Sequence, residues 1–290
     1  MKIQKIAQIA RMQDGAVWDH FLFQLDAKGH CIVYDMAQIE NAEAQLSEFA
    51  RFNLDKTDLI CPHSNAVAFG CAYYQDGDEF PLLYSNIYNN YAREADQMIG
   101  TCCVYRIQRD DCVFRATLVQ LIQIGFTEEA TLWYSSCEKN DIRPFGNFAV
   151  DRDANILYAF TMRDATDSTR YFAFKLPPAD AGTFDQKYGV NRVILQKENI
   201  LDQFDCEYHH FLQGACVYKG KIYSVEGFTV GRAGPASRPA LRVIDPSARR
   251  QVLCEYFEDF GLTIEPELID FYGATCYYGD GHGNLYAVSQ

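Results

Sequence analysis

One hairpin-like pattern recurs along the whole chain, and it limits the possible fold more than any other feature of the sequence. The stretch "QGACVYKGKIYSVEGF" (residues 213–228) combines an apolar strand, a Lys-Gly turn and a second strand that carries a tyrosine. The same order recurs in "FLFQLDAKGHCIVYDM", "NAVAFGCAYYQDGDEFPLLYSN", "NFAVDRDANILYAF" and "GATCYYGDGHGNLYAVSQ". The tyrosines on the second strands are Tyr34, Tyr84, Tyr158, Tyr223 and Tyr286. Five copies of a β-hairpin pattern predict a repeat protein built from strands.

Further strand-like segments lie between these hairpins. They alternate apolar and polar residues, as in "TCCVYRIQ" and "FRATLVQLIQIGF", "RYFAFKLP" and "NRVILQK", and "PALRVID" and "QVLCEYF". Four antiparallel strands per unit resemble the blade of a β-propeller. The resemblance covers the whole chain and implies an all-β fold, with residues 1–290 forming one propeller domain. Five blades of about 58 residues each are preferred over six of about 48, for which the segment near Trp133 would supply a strand.

The two ends of the chain are predicted to share a blade. The last hairpin stops at the C-terminus, so the fifth blade lacks outer strands, and the N-terminal "KIQKIAQIA" is a strand with no other partner. Pairing the two would close the ring and remove exposed sheet edges.

Two segments depart from the strand pattern. "MAQIENAEAQLSEFARFNLD" predicts a short helix and then one strand near Phe49 to Leu54, and "EPELIDF" predicts a helical turn.

Composition narrows the classes of partner and compartment. The formal net charge of −13 argues against nucleic acids and anionic membranes, and no run of 18 apolar residues predicts a membrane span. The 11 cysteines show no CxxC spacing, which favours reduced thiols over zinc ligands and therefore a cytoplasmic protein. An exported protein whose signal peptide has been removed would look the same. The Gly-rich "GRAGPAS" lacks the Lys-Ser/Thr of a phosphate loop, so no nucleotide or other cofactor is predicted.

Positions around one mouth of the propeller channel are the candidate site, because function collects where loops meet on a rigid scaffold. At least four of the six histidines fall where the chain leads into a predicted innermost strand. Polar and aromatic side chains there, and in the loops after the tyrosine strands, suit a sugar. The predicted ligand-binding residues are His63, Asn65, Asn86, Asn147, Arg163, His210, Gln213, Arg232 and Tyr272.

Three functions are compatible with such a mouth, and the oligomeric state is left open. Binding of a carbohydrate or other small polar ligand ranks first. Glycoside hydrolysis ranks second, with Asp19, Glu226 and Asp270 as candidate carboxylates from different blades. A protein-interaction scaffold ranks third, and a metal site of His63, His210 and Asp270 is a minor variant. Each residue also has a purely structural interpretation: the histidines as satisfied core groups, Glu226 as an acceptor of backbone N–H groups, and Asp19 and Asp270 as strand-end or turn residues.

Overall fold

The structure, a computed structural model, describes residues 1–40, 46–60, 62–87, 98, 100–126, 147–162, 168–207, 212–232 and 237–289. In chain order the strands are β1 (Lys2–Gln8), β2 (Asp14–Trp18), β3 (Phe21–Leu25), β4 (His30–Asp35), β5 (Glu48–Asn53), β6 (Ser64–Phe69), β7 (Leu83–Ile87), β8 (Thr101–Asp110), β9 (Val113–Ile124), β10 (Asn147–Asp151), β11 (Ile156–Met162), β12 (Ser168–Lys175), β13 (Thr183–Asp185), β14 (Val190–Leu195), β15 (Ile200–Glu207), β16 (Leu212–Tyr218), β17 (Lys221–Glu226), β18 (Ala240–Asp245), β19 (Arg250–Tyr256), β20 (Pro266–Tyr272), β21 (Thr275–Asp280) and β22 (Asn284–Ser289). Short 3-10 segments span Met36–Glu40, Lys197–Asn199 and Phe257–Phe260.

These strands form five small sheets arranged as the blades of a propeller, which confirms the predicted fold. From the axis outwards, blade 1 is β2-β3-β4-β5, blade 2 begins β6-β7-β8-β9, blade 3 is β10-β11-β12-β15, blade 4 is β16-β17-β18-β19, and blade 5 is β20-β21-β22-β1. Each of the five hydrophobic clusters lies between two neighbouring blades. The cluster between blades 5 and 1, for example, joins Leu268 and Leu285 to Val17 and Leu22. Burial of apolar side chains between blades therefore runs around the full ring.

The N-terminal strand closes the ring as predicted. Strand β1 pairs antiparallel with β22, from Lys2 opposite Ser289 to Gln8 opposite Asn284. Without β1, the last strand of blade 5 would present a row of unpaired backbone groups to solvent. The first blade also follows its prediction, with the 3-10 segment Met36–Glu40 followed by β5.

In two of the five blades the hairpin pattern marks the second and third strands instead of the first and second. Tyr84, Tyr158 and Tyr223 lie on second strands, whereas Tyr34 and Tyr286 lie on the third strands β4 and β22. The innermost strand of blade 1 is therefore β2, and the predicted helical turn at "EPELIDF" is wrong because this segment belongs to β20, the innermost strand of blade 5. Any two neighbouring strands joined by a tight turn give the same hairpin pattern, so the pattern does not tell which pair of strands it marks.

Blade 2 contains two strands that come from a later part of the chain. The segment "NRVILQK" was predicted to belong to blade 3, but its strand β14 pairs in parallel with β9 of blade 2. Strand β13 pairs antiparallel with β14 and forms the outer edge of a six-stranded sheet. The chain then returns to blade 3 as β15.

Within the residues that the structure describes, no helix combines the length and the apolar character that crossing a membrane requires.

We expect deletion of residues 1–8 to lower the free energy of unfolding by about 3–5 kcal/mol, because it removes a paired outer strand whose hydrogen bonds contribute about 1 kcal/mol each. Urea unfolding at neutral pH measures the change. The control is Gln4→Ala, which removes only an exposed side chain of β1 and leaves its backbone in place. Equal stability of the deletion and the control would show that β1 does not hold the ring closed.

Candidate functional site

The innermost strands meet the surface at two mouths. We call the end where these strands begin the upper mouth and the end where they finish the lower mouth. Leu212 begins β16 and lies opposite Glu226, the last residue of β17, so Glu226 belongs to the upper end. Tyr218, the last residue of β16, stacks on Phe271 of β20 with ring centroids 3.8 Å apart, so both belong to the lower end. The predicted site residues divide between the two mouths.

A ring of polar side chains surrounds the axis at the upper mouth, one from the first or second position of each innermost strand. We call it the axial ring, and its members are Asp14, Asn65, Asn147, Gln213 and Glu267. All five residues are buried. The blades approach closely here, because a Cβ built on Gly214 would lie 2.3 Å from the backbone oxygen of Glu267 and 2.9 Å from Oδ1 of Asp14. The axis is therefore filled at this level.

The amides of the axial ring join blades that share no sheet. Nδ2 of Asn147 donates hydrogen bonds to the backbone oxygens of Gln213 and Asn65, the latter at 3.4 Å. Nδ2 of Asn65 donates to the backbone oxygen of Leu212 at 3.3 Å, which links blades 2 and 4 across the axis. Asn86 donates to Oδ1 of Asn147 at 3.2 Å. These predicted ligand-binding amides are thus engaged in holding the inner strands together.

Two buried carboxylates bind the backbone of the following blade. Oδ2 of Asp270 accepts a hydrogen bond from the backbone N–H of Val17 at 2.6 Å, and Oδ2 of Asp14 accepts one from Val67 at 2.6 Å. Burial raises the pKa of Asp14 well above its usual 3.8, although the N–H donors of Gly15 and Val67 oppose the shift. Burial also raises the pKa of Asp270, and the nearby Arg152 opposes it. Both side chains therefore have a structural role between blades.

Glu267 of the axial ring has a second acidic residue, Glu265, beside it at the upper mouth. Glu267 accepts a hydrogen bond from Nε2 of Gln13 at 3.0 Å. The carboxylate of Glu265 accepts from Nε2 of Gln213 at 2.8 Å and from the guanidinium of Arg232 at 2.6 Å. Burial raises the pKa of Glu267 well above 4.5, and the charges of Glu265 and Asp14 raise it further. The predicted ligand-binding residues Gln213 and Arg232 thus meet at Glu265.

Glu226 forms a buried ion pair. Its Oε1 accepts a hydrogen bond from Nε of Arg242 at 2.7 Å, and both residues are buried within blade 4. Glu226 also lies close enough to affect Tyr171 of blade 3. Burial raises the pKa of Tyr171, and the negative charge of Glu226 raises it further. Both contacts support the interpretation of Glu226 as a structural residue.

The three candidate catalytic carboxylates do not surround one mouth. Glu226 is level with the start of β16, whereas Asp270 lies one residue before Phe271, near the level of Val217. The six residues from Leu212 to Val217 span about 16 Å of strand. Carboxyl pairs of glycosidases stand about 5–10 Å apart. Asp19 follows β2 at the lower end, so Glu226 does not pair with either aspartate across a substrate.

Asp19 and Asp270 instead meet at the lower mouth, which holds two adjoining cavities. One has a volume of about 470 Å³ and the other about 420 Å³, and both are lined by Asp19 and Arg152. The first cavity also contacts Trp18 and Glu79, and the second contacts Tyr218, Lys219 and Asp270. Shared lining residues make the two cavities one two-lobed depression over the axis, and we call it the lower-mouth pocket.

Arg152 occupies the centre of the lower-mouth pocket and connects three blades. Its guanidinium lies 5.5 Å from the centroid of the Trp18 ring and 3.9 Å from Oδ1 of Asp270, while 30% of its side chain stays exposed. Asp19 is more open, with 72% of its side chain exposed, and hydrogen-bonds Nδ1 of His20 at 2.7 Å. On the other side, Nζ of Lys219 lies 5.1 Å from the centroid of Tyr218. Donors, acceptors and aromatic faces therefore converge on one concave surface.

The remaining predicted residues have different outcomes. Arg163 and His210 lie outside the described residues. His63 is partly buried, ahead of β6, and Tyr272 ends β20 at the lower end, packed against the cluster between blades 5 and 1. Within the described ranges, no three His, Cys, Asp or Glu residues are grouped to hold a metal ion. The ligand-binding roles of all these residues stay predictions.

The sequence analysis missed Trp18, Arg152, Tyr218 and Lys219 because it considered only the segments that lead into predicted innermost strands and the loops after the tyrosine strands. A signal was nevertheless present. The turns after these strands carry "WDH", "DRDAN" and "YKG", in which charged residues adjoin aromatic or acidic ones. In a repeat protein the same turn of each unit reaches the same face, so both sets of turns are candidates.

Comparisons with known proteins identify the fold and no family. No protein-family model matches the chain, and no curated protein matches it in sequence. Among solved structures, the chain is similar to a glucose dehydrogenase, with 12% identity, all of both chains covered and a TM-score of 0.51. A glutaminyl cyclase from Myxococcus xanthus has 10% identity and a TM-score of 0.48, with 100% of this chain and 94% of that chain covered. At these identities the likeness concerns the fold alone.

We expect Glu226→Ala to lower the free energy of unfolding by about 3 kcal/mol, because it removes the buried carboxylate that accepts a hydrogen bond from Nε of Arg242 and leaves only the more distant Glu207. Urea unfolding measures the loss, with the exposed Glu198→Ala as a control that removes the same side chain from the surface. If both variants unfold alike, the Glu226–Arg242 pair does not stabilise blade 4.

Glu267 should make stability depend on pH. Its folded pKa is raised above the usual 4.5, so the stability it contributes is complete below that value and is lost as the pH rises through the folded pKa. We therefore expect Glu267→Gln to flatten the decline in unfolding free energy as the pH rises above the usual pKa of 4.5. Urea unfolding as a function of pH tests it against Asp76→Asn, a change in an exposed loop. A decline as steep in Glu267→Gln as in the unmodified protein would contradict the assignment.

Proposed function

We propose that this protein binds a carbohydrate or another small polar ligand at the lower-mouth pocket. The observation that carries the proposal is the position of Arg152, partly exposed between the Trp18 ring and Asp270 where the two cavities adjoin. A guanidinium fixed on an aromatic ring presents its remaining N–H groups to a ligand without losing much side-chain freedom.

The lining favours a neutral, hydroxyl-rich ligand. Arg152 and Lys219 donate hydrogen bonds, and the exposed carboxylate of Asp19 accepts them. Trp18 and the stacked rings of Tyr218 and Phe271 offer apolar surface to the C–H face of a sugar. Carboxylates outnumber cations in the lining of the pocket, and together with the net charge of −13 this excess disfavours polyanions.

The upper mouth is the weaker candidate for the same ligand. Among its described residues, Asn65, Asn86 and Asn147 are engaged in hydrogen bonds between inner strands. Gln213 and Arg232 are bound to Glu265. A ligand there would compete with bonds that hold the ring together.

Glycoside hydrolysis is the second candidate, with Asp19 and Asp270, two of the three carboxylates named from the sequence, as the carboxyl pair. Asp270, whose pKa is raised by burial, and the exposed Asp19 line the same cavity. Glycosidases use one carboxyl group as a general acid and a second as a base or nucleophile. In this alternative Asp270 would donate the proton, and Asp19 would act as the base or nucleophile. Loss of hydrolysis with retained sugar binding in Asp270→Asn would favour it over binding alone.

Ligand-detected NMR with mixtures of neutral mono- and disaccharides tests the primary proposal. We expect a binder whose affinity falls at least tenfold in Arg152→Gln and in Trp18→Ala, because each variant removes one side of the pocket centre. The matched control is Arg115→Ala, which removes an exposed arginine from β9. Thermal unfolding confirms that the variants are folded. Saccharide binding that both pocket variants leave unchanged would place the ligand elsewhere, and binding of no saccharide would overturn the proposal for carbohydrates.

A further inference from the structure

A groove of about 880 Å³ lies on blade 2, away from the axis. Its walls are residues 72–74 of the connection between β6 and β7, the strands β8 and β9, and the chain around β13 and β14. The same β6–β7 connection sends Glu79 and Phe80 to the lower-mouth pocket, so it borders both concave surfaces. The volume is within the range of about 300–1,000 Å³ that ligand pockets occupy.

Three aromatic rings are exposed along this groove. Tyr73 and Tyr74 are each 46% exposed, and Phe184 is 61% exposed. Large aromatic side chains grouped at one concave surface mark a binding site more often than isolated exposed residues do. Tyr73 and Tyr74 belong to one wall and Phe184 to the strand β13.

The groove is held rigid by bonds within its own walls. Arg106 binds Asp78 through two hydrogen bonds of 2.6 and 3.0 Å, and its guanidinium lies 5.1 Å from the centroid of Tyr74. Nε2 of Gln120 donates to the backbone oxygens of Pro178 and Ala181, at 2.7 and 3.1 Å. Arg106 therefore holds the wall that carries Tyr74, and Gln120 holds the segment that precedes β13.

The polar groups of the lining suit hydroxyl groups better than ions. The arginine in the lining, Arg106, is already paired with Asp78 and is therefore a poor anion site. What the lining offers are the phenol groups of Tyr73 and Tyr74, the hydroxyl of Thr117, the side-chain oxygen of Asn191 and the carboxylate of Asp180. Hydrogen-bond donors and acceptors beside flat rings are the groups that recognise a sugar chain.

We propose that this groove is a second binding site, for a neutral glycan of two or more sugar units stacked on Tyr73, Tyr74 and Phe184. The site is independent of the lower-mouth pocket, because the two share no lining residue. It depends on the two extra strands of blade 2, since β13 supplies Phe184 and the chain around β14 supplies Asn191.

Affinity electrophoresis in gels that contain starch, laminarin, galactomannan or xylan tests the proposal. We expect at least one neutral polysaccharide to retard the protein, and Phe184→Ala and Tyr73→Ala to weaken the retardation at least fivefold. Both side chains are exposed, so their loss should leave folding intact. Leu201→Ala is the matched control, because Leu201 is also 61% exposed but lies on β15, outside the groove.

The lower-mouth variant Arg152→Gln separates this proposal from the proposed function. Retardation that persists in Arg152→Gln and weakens in Phe184→Ala supports the groove, whether or not small saccharides bind at the lower mouth. Retardation lost in Arg152→Gln but kept in Phe184→Ala overturns it and assigns the glycan to the lower mouth. No retardation by any of the four polysaccharides also overturns it.

Discussion

The ring depends on side-chain hydrogen bonds between innermost strands that share no sheet. A backbone N–H group that faces the axis needs a buried acceptor, and no neighbouring strand supplies one. Asp270 provides it for Val17, and Asp14 provides it for Val67, so blades 5, 1 and 2 are bound in succession. Burying these carboxylates is costly, and their raised pKa values reflect that cost. The residues that ring closure requires are therefore the axial ring at the upper mouth and the buried Asp270 nearer the lower mouth.

This constraint separates structural polar residues from those available to a ligand. Asn65 and Asn147 would look like a sugar site by residue type, but their amides bond to backbone oxygens of other blades. Arg152 and Asp19 sit in turns beyond the strands, where closure imposes no such bonds, and their side chains remain partly or largely exposed. Position within an innermost strand or in the turn beyond it, rather than residue type, is what distinguishes the two groups.

Local patterns predicted the fold, and non-local contacts limited the prediction of the site. The blades, their number and the β1–β22 closure follow from hairpins and from an unpaired strand at each end, which are visible in short stretches. The sequence did not identify β2 as the innermost strand of blade 1. This strand has only five residues, and its hairpin with β3 resembles the hairpin of the next two strands. Pairing of β14 with β9 joins segments about 70 residues apart and leaves no local sign. Arg152 was missed for the same reason, since its contacts with Trp18 and Asp270 cross from one blade to two others.

The extra strands of blade 2 are the feature that ring closure does not explain. The other four blades each consist of four strands, so β13 and β14 are not needed to complete the repeat. They also leave Phe184 exposed at the outer edge of the sheet, where it gains little from burial. Parallel pairing of β14 with β9 nevertheless places this edge opposite Tyr73 and Tyr74, and together they enclose a groove that a four-stranded blade would not form. The segment also adds Val190 and Leu195 to the core, but burial does not account for its exposed aromatic edge. A departure from the repeat that adds concave aromatic surface is the kind of departure that a binding role accounts for.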